Sequence, residues 1–238
     1  MKTIPRLSAL LILGATLAAP APAAFESITM SADNPQPLFP LVLEVEGITR
    51  GRALVAISVG ADGRLADRLV LGYTHQLFAK ACLDVLKEWQ FTPARLDGVP
   101  VPAKTELTFN FTLEGAVIRA NIVNHFYFNK FKNLGDGYYI YRPCRPQEVD
   151  RMPAPVFTVA PKYAREAEQQ GLRGRVEVRF YIDEQGAVRL PAVAAETPAY
   201  LADTAVAAVR EWRFEPPTHH GRPVLIAARQ VFDFGSAK

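Results

Sequence analysis

The sequence predicts an α+β protein made of two small ββαβ modules, each an antiparallel sheet with one packed helix, joined by a helix-containing linker. Three observations predict it. The chain of 238 residues repeats itself at a constant offset. Each copy switches from period-2 to period-3.6 hydrophobic patterning. Turns marked by glycine and proline separate the elements.

The offset is 123 residues, the distance from Gly51 to Gly174. It also carries Gly63 onto Gly186, Trp89 onto Trp212, Phe91 onto Phe214, Pro93 onto Pro216, Gly98 onto Gly221, Pro100 onto Pro223, Phe109 onto Phe232 and Phe111 onto Phe234 without a gap. Upstream it becomes 124, matching Pro37 with Pro161, Phe39 with Tyr163 and Gly47 with Gly171. One residue has been gained or lost between the paired glycines, as turns tolerate.

In the second copy, Val176, Val178, Phe180 and Ile182 alternate with Arg175, Glu177, Arg179 and Tyr181, the pattern of a half-buried strand. Asp183 to Gly186 forms the turn, with glycine available for positive φ, and Val188 to Val193 returns. Thr197-Pro198 places a capping hydroxyl before a first-turn proline. The helix that follows turns Leu201, Ala205, Val209 and Trp212 to one face. After Pro216-Pro217 and a turn at His220-Gly221, Val224 to Phe234 forms the last strand. The first copy reads the same way: strand Ala53–Val59, turn Ala61-Asp62-Gly63, strand Leu65–Leu71, Thr74 as cap, helix face Phe78, Cys82, Leu86 and Trp89, and strand Val101–Phe111. Lys162 to Gln170 reads as a short helix that Gly171 ends. Between the copies, Ile118, Ile122 and Phe126 lie four apart and predict a helix from Gly115 to Lys132; Tyr138 to Pro155 follows as extended linker.

Lys2 and Arg6 precede an apolar run that ends at Pro20, and Ala21-Pro22-Ala23 offers a small-residue cleavage pattern. This is the layout of a secretory signal peptide, residues 1–23, and predicts export to the periplasm. The alternative keeps the segment as an uncleaved anchor on the periplasmic side of the inner membrane, although the apolar core is shorter than the roughly 20 residues of a span. Cleavage removes two positive charges, lowering the formal net charge from +3 to +1. So small a charge, without a Lys/Arg run, implies neither nucleic acid nor an anionic membrane surface as partner. The expected domains are 35–112 for a divergent first module, 113–154 for the linker and 155–235 for the second module. Cys82 and Cys144 either form a disulfide in an oxidising compartment or stay apart, Cys82 as a small helix-core residue and Cys144 as a linker thiol.

The second copy's Pro161-Lys162-Tyr163, Gly171-Leu172-Arg173-Gly174, Val176 to Asp183 with Gly186, Trp212-Arg213-Phe214-Glu215-Pro216 and Gly221-Arg222-Pro223-Val224 resemble the TonB C-terminal domain family. The first copy keeps Trp89-Gln90-Phe91-Thr92-Pro93 and Gly98-Val99-Pro100-Val101, with Gly60 where the second has the turn aspartate. The resemblance implies a periplasmic domain that grips outer-membrane receptors by pairing a free strand edge with an extended receptor segment. On that basis the last strand of each module, Val101–Phe111 and Val224–Phe234, is the candidate contact. The partner-binding residues are Val224, Ile226, Ala228, Gln230 and Phe232, with Tyr163 beside them. Expected partners are a TonB-dependent receptor or an inner-membrane proton-channel complex. A second copy is the alternative, because an exposed edge can pair between chains in a homodimer. A spacer across the periplasm is not expected: about 20 residues separate the signal segment from the first module, at most about 70 Å when fully extended.

Chemistry-bearing patterns are sparse. Trp89, Trp212, Phe91 and Phe214 read as core anchors, His219-His220 as a solvated turn, and Glu88 and Glu211 as salt-bridged helix ends. No phosphate loop, nucleophile elbow or metal-ligand cluster is present in the sequence, so no catalytic residue, cofactor or metal is expected and the protein reads as non-enzymatic.

Overall fold

The computed structural model describes residues 25–121, 140–163, 169, 171, 173–193 and 199–235. The signal segment and the Thr197-Pro198 cap lie outside these residues, as does most of the Lys162–Gln170 helix. In the first unit a short helix α1 (Val42–Val45) precedes β1 (Arg50–Val59), β2 (Leu65–Tyr73), helix α2 (Gln76–Val85), β3 (Ala103–Thr112) and β4 (Gly115–Asn121). The sheet is antiparallel, in the order β2-β1-β3-β4. Alternate residues Ala53, Val55, Ile57 and Val59 of β1 meet Phe78, Cys82, Leu86 and Trp89 from the helix side, with Phe109 and Phe111 of β3 in the same core. The helix is capped one residue later than expected: His75 accepts from the Leu77 amide at 3.2 Å, whereas the Thr74 hydroxyl accepts from the Arg52 amide at 2.9 Å.

The second unit contains β5 (Gly174–Ile182), β6 (Val188–Val193), α3 (Ala199–Glu211) and β7 (Ile226–Phe234), with sheet order β6-β5-β7. Val176, Val178, Phe180 and Ile182 pack on Leu201, Ala205, Val209 and Trp212, the face that the sequence periodicity predicts. The two tryptophans are tied alike: the Trp89 indole donates to the Pro35 carbonyl and that of Trp212 to Val159, both at 2.8 Å. Glycines at the first turns follow one logic as well. At Gly186, φ is +80° and an added Cβ would stand 2.0 Å from the Phe214 carbonyl oxygen; at Gly63, φ is +76° and the Phe91 oxygen would be 2.6 Å away. Asp183 accepts from the amides of Gln185 and Ala187 at 3.1 and 2.8 Å. In the first copy, where Gly60 replaces that aspartate, Asp62 accepts from Arg64 at 3.0 Å.

The two sheets meet on the faces opposite their helices. Leu54, Ala56, Leu69 and Leu71 of the first unit form one buried cluster with Tyr181, Leu190 and Leu225 of the second. This explains why β1 is buried at every position from Ala53 to Val59 rather than alternately: both faces of that stretch are covered. Arg189 reaches across to pair with Asp67, and the Lys104 ammonium group donates to the Pro191 carbonyl.

Three expectations are corrected. The segment from Gly115 is not helical: residues 115–121 form β4, paired along β3 from Thr112↔Gly115 to Glu106↔Asn121, while residues 122–132 lie outside the described residues. The four-residue spacing of Ile118 and Ile122 mimicked a helix, but the two-residue Leu113-Glu114 connection folds the chain straight back into the β3 ladder. The residues before the first module are not free spacer, since Phe25–Glu26 and Thr29–Met30 pair with the strand pieces Ala94–Leu96 and Phe91–Thr92. The Tyr138–Pro155 stretch is likewise tied down where described. The Tyr141 ring stacks on Tyr73 at 4.9 Å, and Asp150 accepts from the amides of His220 and Gly221 at 2.7 and 2.8 Å. Those contacts, led by Gly221, hold Asp150 below the usual carboxylate pKa.

Both cysteines are free: Cys82 is in the first core, where burial raises its pKa, and Cys144 sits beside β7 of the second unit. Their places on different units explain why the Cys82–Cys144 bond is not formed. Among the described residues no helix is long and apolar enough to cross a membrane.

Candidate strand-addition edge

A strand end presents main-chain donors and acceptors on both sides, and the two copies treat the outer side of their last strand differently. In the first unit, β4 occupies the outer edge of β3 from Glu106 to Thr112. In the second, the outer edge of β7 has one neighbour among the described residues, an isolated parallel bridge between Cys144 and Ile226 in which the Cys144 amide donates to the Leu225 carbonyl at 2.7 Å. Peptide groups alternate direction along a strand, so the outward pointing groups continue at Ala227, Arg229, Val231 and Asp233. From Arg229 onward, no strand among the described residues pairs with them.

Burial shows what β4 covers. Phe109 is 0% exposed and Leu107 is 0% exposed. Their equivalents Phe232 and Gln230 are only half-buried, although Trp212 packs on Phe232 at a ring separation of 5.7 Å as Trp89 does on Phe109 at 5.9 Å. In the first unit Ala116 and Ile118 of β4 lie over that aromatic surface, Ile118 standing opposite Phe109. In the second unit no strand among the described residues lies over the same surface.

Of the residues expected to bind, Ile226 is fully buried in the helix-side core and Val224 precedes the strand, its amide donating to Pro217 at 2.9 Å. Ala228 and Phe232 pack against the same core from the half-exposed edge, and Tyr163 reaches Phe234 at 5.6 Å. Gln230 stands where the first copy has Leu107; its amide donates to the Val231 carbonyl at 2.8 Å, one of the outward acceptors. Gln230, one of the expected residues, is a polar side chain on an otherwise apolar face. The sequence reading picked the alternate residues whose side chains face the helix. Arg229, Val231 and Asp233, which are not among the expected residues, have the peptide groups that face outward.

On the other sheet face, Glu177 accepts from Arg179 at 2.6 Å and from Arg229 at 3.4 Å. The Arg179 hydrogen bond in particular holds Glu177 below the usual carboxylate pKa. The His219 and His220 rings lie 4.1 Å apart, tilted by 48°, in the docked turn, and among the described residues no group of three His, Cys, Asp or Glu side chains could hold a metal ion.

The paired ββαβ units agree with the comparisons. The family model described as Gram-negative bacterial TonB protein C-terminal matches residues 35–113 and again 159–235. The chain belongs to the TonB C-terminal family. It is also similar to Protein TonB of Vibrio cholerae serotype O1, with 31% identity over 81 residues that cover 34% of this chain and 33% of that protein. The chain therefore spans about a third of the length of that TonB relative.

Proposed function

We propose that this chain is a non-enzymatic envelope protein of TonB-dependent transport whose second TonB-like unit captures a protein partner by strand addition to β7. The observation that carries this reading is the difference between the two copies: the outer edge of β3 is filled by β4, whereas no strand among the described residues pairs with the equivalent stretch of β7, which lies beside a half-exposed aromatic wall. Strand addition draws affinity from main-chain hydrogen bonds and selectivity from pockets for alternate side chains, and β7 offers both. An extended segment of an outer-membrane receptor is the expected occupant. The periplasm is the expected compartment, with residues 1–23 removed; an intact Met1 in the inner membrane would favour an anchored transducer instead.

A photo-crosslinking amino acid at Val231, compared with one at the equivalent Thr108, tests the reading in the native envelope. The expected result is an adduct with an outer-membrane barrel protein from position 231 and none from 108. Equal labelling, or no adduct at 231, overturns it. An adduct between two copies of the chain transfers the edge to self-pairing.

A further inference from the structure

Exposed aliphatic side chains crowd one short stretch of the first unit, and we infer that this face docks an amphipathic helix of a protein partner whose apolar residues are flanked by lysine or arginine. Leu38, Leu41, Val42 and Val45 are 82%, 72%, 54% and 89% exposed. They follow the i, i+3, i+4, i+7 spacing of one helical face, and Leu41 already has helical dihedrals ahead of α1. Phe39 and Leu43, four apart, belong to the core instead, Phe39 standing edge-on to Phe78 at 5.4 Å. A helix as short as α1 has no stability of its own, so these two anchors hold the exposed face in place before anything binds. This contact is independent of β7 and lies on the other unit.

The repeat shows that the fold does not require this face. The 124-residue offset sets Lys162, Arg165, Glu166 and Gln169 at the same four places, and Lys162 and Gln169 are exposed. A contiguous apolar patch that the fold does not need marks a contact with a protein or a membrane. Charge decides between them. From Phe25 to Thr49 the chain carries Glu26, Asp33, Glu44 and Glu46 and no Lys, Arg or His, whereas the equivalent residues 149–173 hold four cations and three carboxylates. Glu44 and Glu46 stand among the aliphatic residues, so an anionic lipid surface is repelled and a second copy would set like charges face to face. A partner with cationic flanks is attracted. The turn offers little to an added strand, because the amides of Leu43, Glu44, Gly47 and Ile48 bond within it at 2.8–3.1 Å. Recognition therefore runs through side chains, as ridges of one helix packing into the grooves of another.

The test titrates the full chain with a peptide of about four helical turns that has leucine at every third or fourth position and lysine at both ends, and with its glutamate-ended counterpart. The lysine-ended peptide is expected to bind about tenfold tighter. Exchanging Leu38→Lys, Leu41→Arg, Val42→Glu and Val45→Gln together, which installs the second copy's residues, should weaken that binding about a hundredfold and leave the melting temperature unchanged. Val45→Gln alone should weaken it about tenfold. Glu44→Lys with Glu46→Lys should reverse the preference between the peptides. In the native envelope, a photo-crosslinking amino acid at Val45 should label a partner segment with this pattern, and one at Gln169 should not. Equal binding of the two peptides, binding that survives the exchanges of aliphatic residues, or a preference that the Glu44 and Glu46 exchange leaves unmoved overturns the inference. So does a Val45 adduct with lipid, with a second copy or within the chain, or the absence of any adduct. The adduct from position 231 should persist in the four-residue variant; its loss would merge the two contacts and overturn their independence.

Discussion

The first unit closes its sheet with its own chain, whereas in the second no strand among the described residues pairs with the same edge, although both are built on one repeated string of residues. Phe109 and Phe232, Phe111 and Phe234, and Trp89 and Trp212 occupy matching places; what differs is whether seven residues, Gly115 to Asn121, lie across them. An open edge is a liability that proteins usually blunt. Here it is blunted lightly, by the Gln230 amide and by exposed Arg229 and Asp233, both of which are easily moved or left hydrated. The difference teaches that duplication of a binding fold need not duplicate the binding edge. One copy can keep the edge while the other supports it from behind through the shared Leu54–Tyr181–Leu225 cluster.

Replacing each tryptophan tests whether the cores are equivalent. Trp89→Ala and Trp212→Ala should each cost about 3–5 kcal/mol, within about 1 kcal/mol of one another, in denaturant unfolding of the full chain. A cost confined to one copy would break the equivalence. Ile118→Asp should evict β4, lower the stability of the first unit by about 1–3 kcal/mol and raise the stoichiometry of a bound strand peptide from one to two in titration calorimetry. An unchanged stoichiometry would mean that β4 does more than fill the edge.

Gly51 and Gly174 sharpen the contrast further. A Cβ on Gly51 would stand 1.9 Å from the Phe78 ring, whereas one on Gly174 meets Leu201 Cδ1 at 3.6 Å. Gly51→Ala should therefore cost about 1–3 kcal/mol by overpacking, while Gly174→Ala is neutral or slightly stabilising, as thermal melts would show.

The junction gives a pH signature. Loss of hydration lowers the Lys104 pKa to about 7, and the charge of Arg210 acts in the same direction. Between that value and the ordinary lysine pKa, the unfolded chain binds a proton that the folded chain does not. Stability should thus rise with pH across this window. Lys104→Met should stabilise the protein below pH 7 and flatten the rise. Asp84 is the smallest case: Lys80 and Lys87 pair with it on the exposed face of α2 and hold its pKa down to about 2. Asp84→Ala should leave the melting temperature unchanged within error, because water screens such pairs.

Much of the fold was legible in the residues. Paired glycines located the turns, and the four-residue spacing of Leu201, Ala205 and Val209 located the helix face. The site was legible only in part. The choice of the last strand followed from resemblance, but Ile118 and Ile122 suggested a helix because local spacing carries no information about a ladder partner that the chain supplies by folding back. The sheet-to-sheet junction escaped for a related reason: Leu54, Ala56 and Tyr181 occupy the positions that a one-sided sheet gives to solvent, and only the neighbouring unit buries them. Glu88 and Glu211 take part in no ion pair among the described residues, and near the end of α2 it is Asp84 that pairs with lysine.

Amide hydrogen exchange across the two last strands tests the asymmetry itself. The outward amides of Glu106, Thr108 and Asn110 should exchange as slowly as the interior of β1, and those of Arg229, Val231 and Asp233 at close to the rate of unpaired chain. Equal protection of the two sets would contradict the open edge, and with it the assignment of partner capture to the second unit.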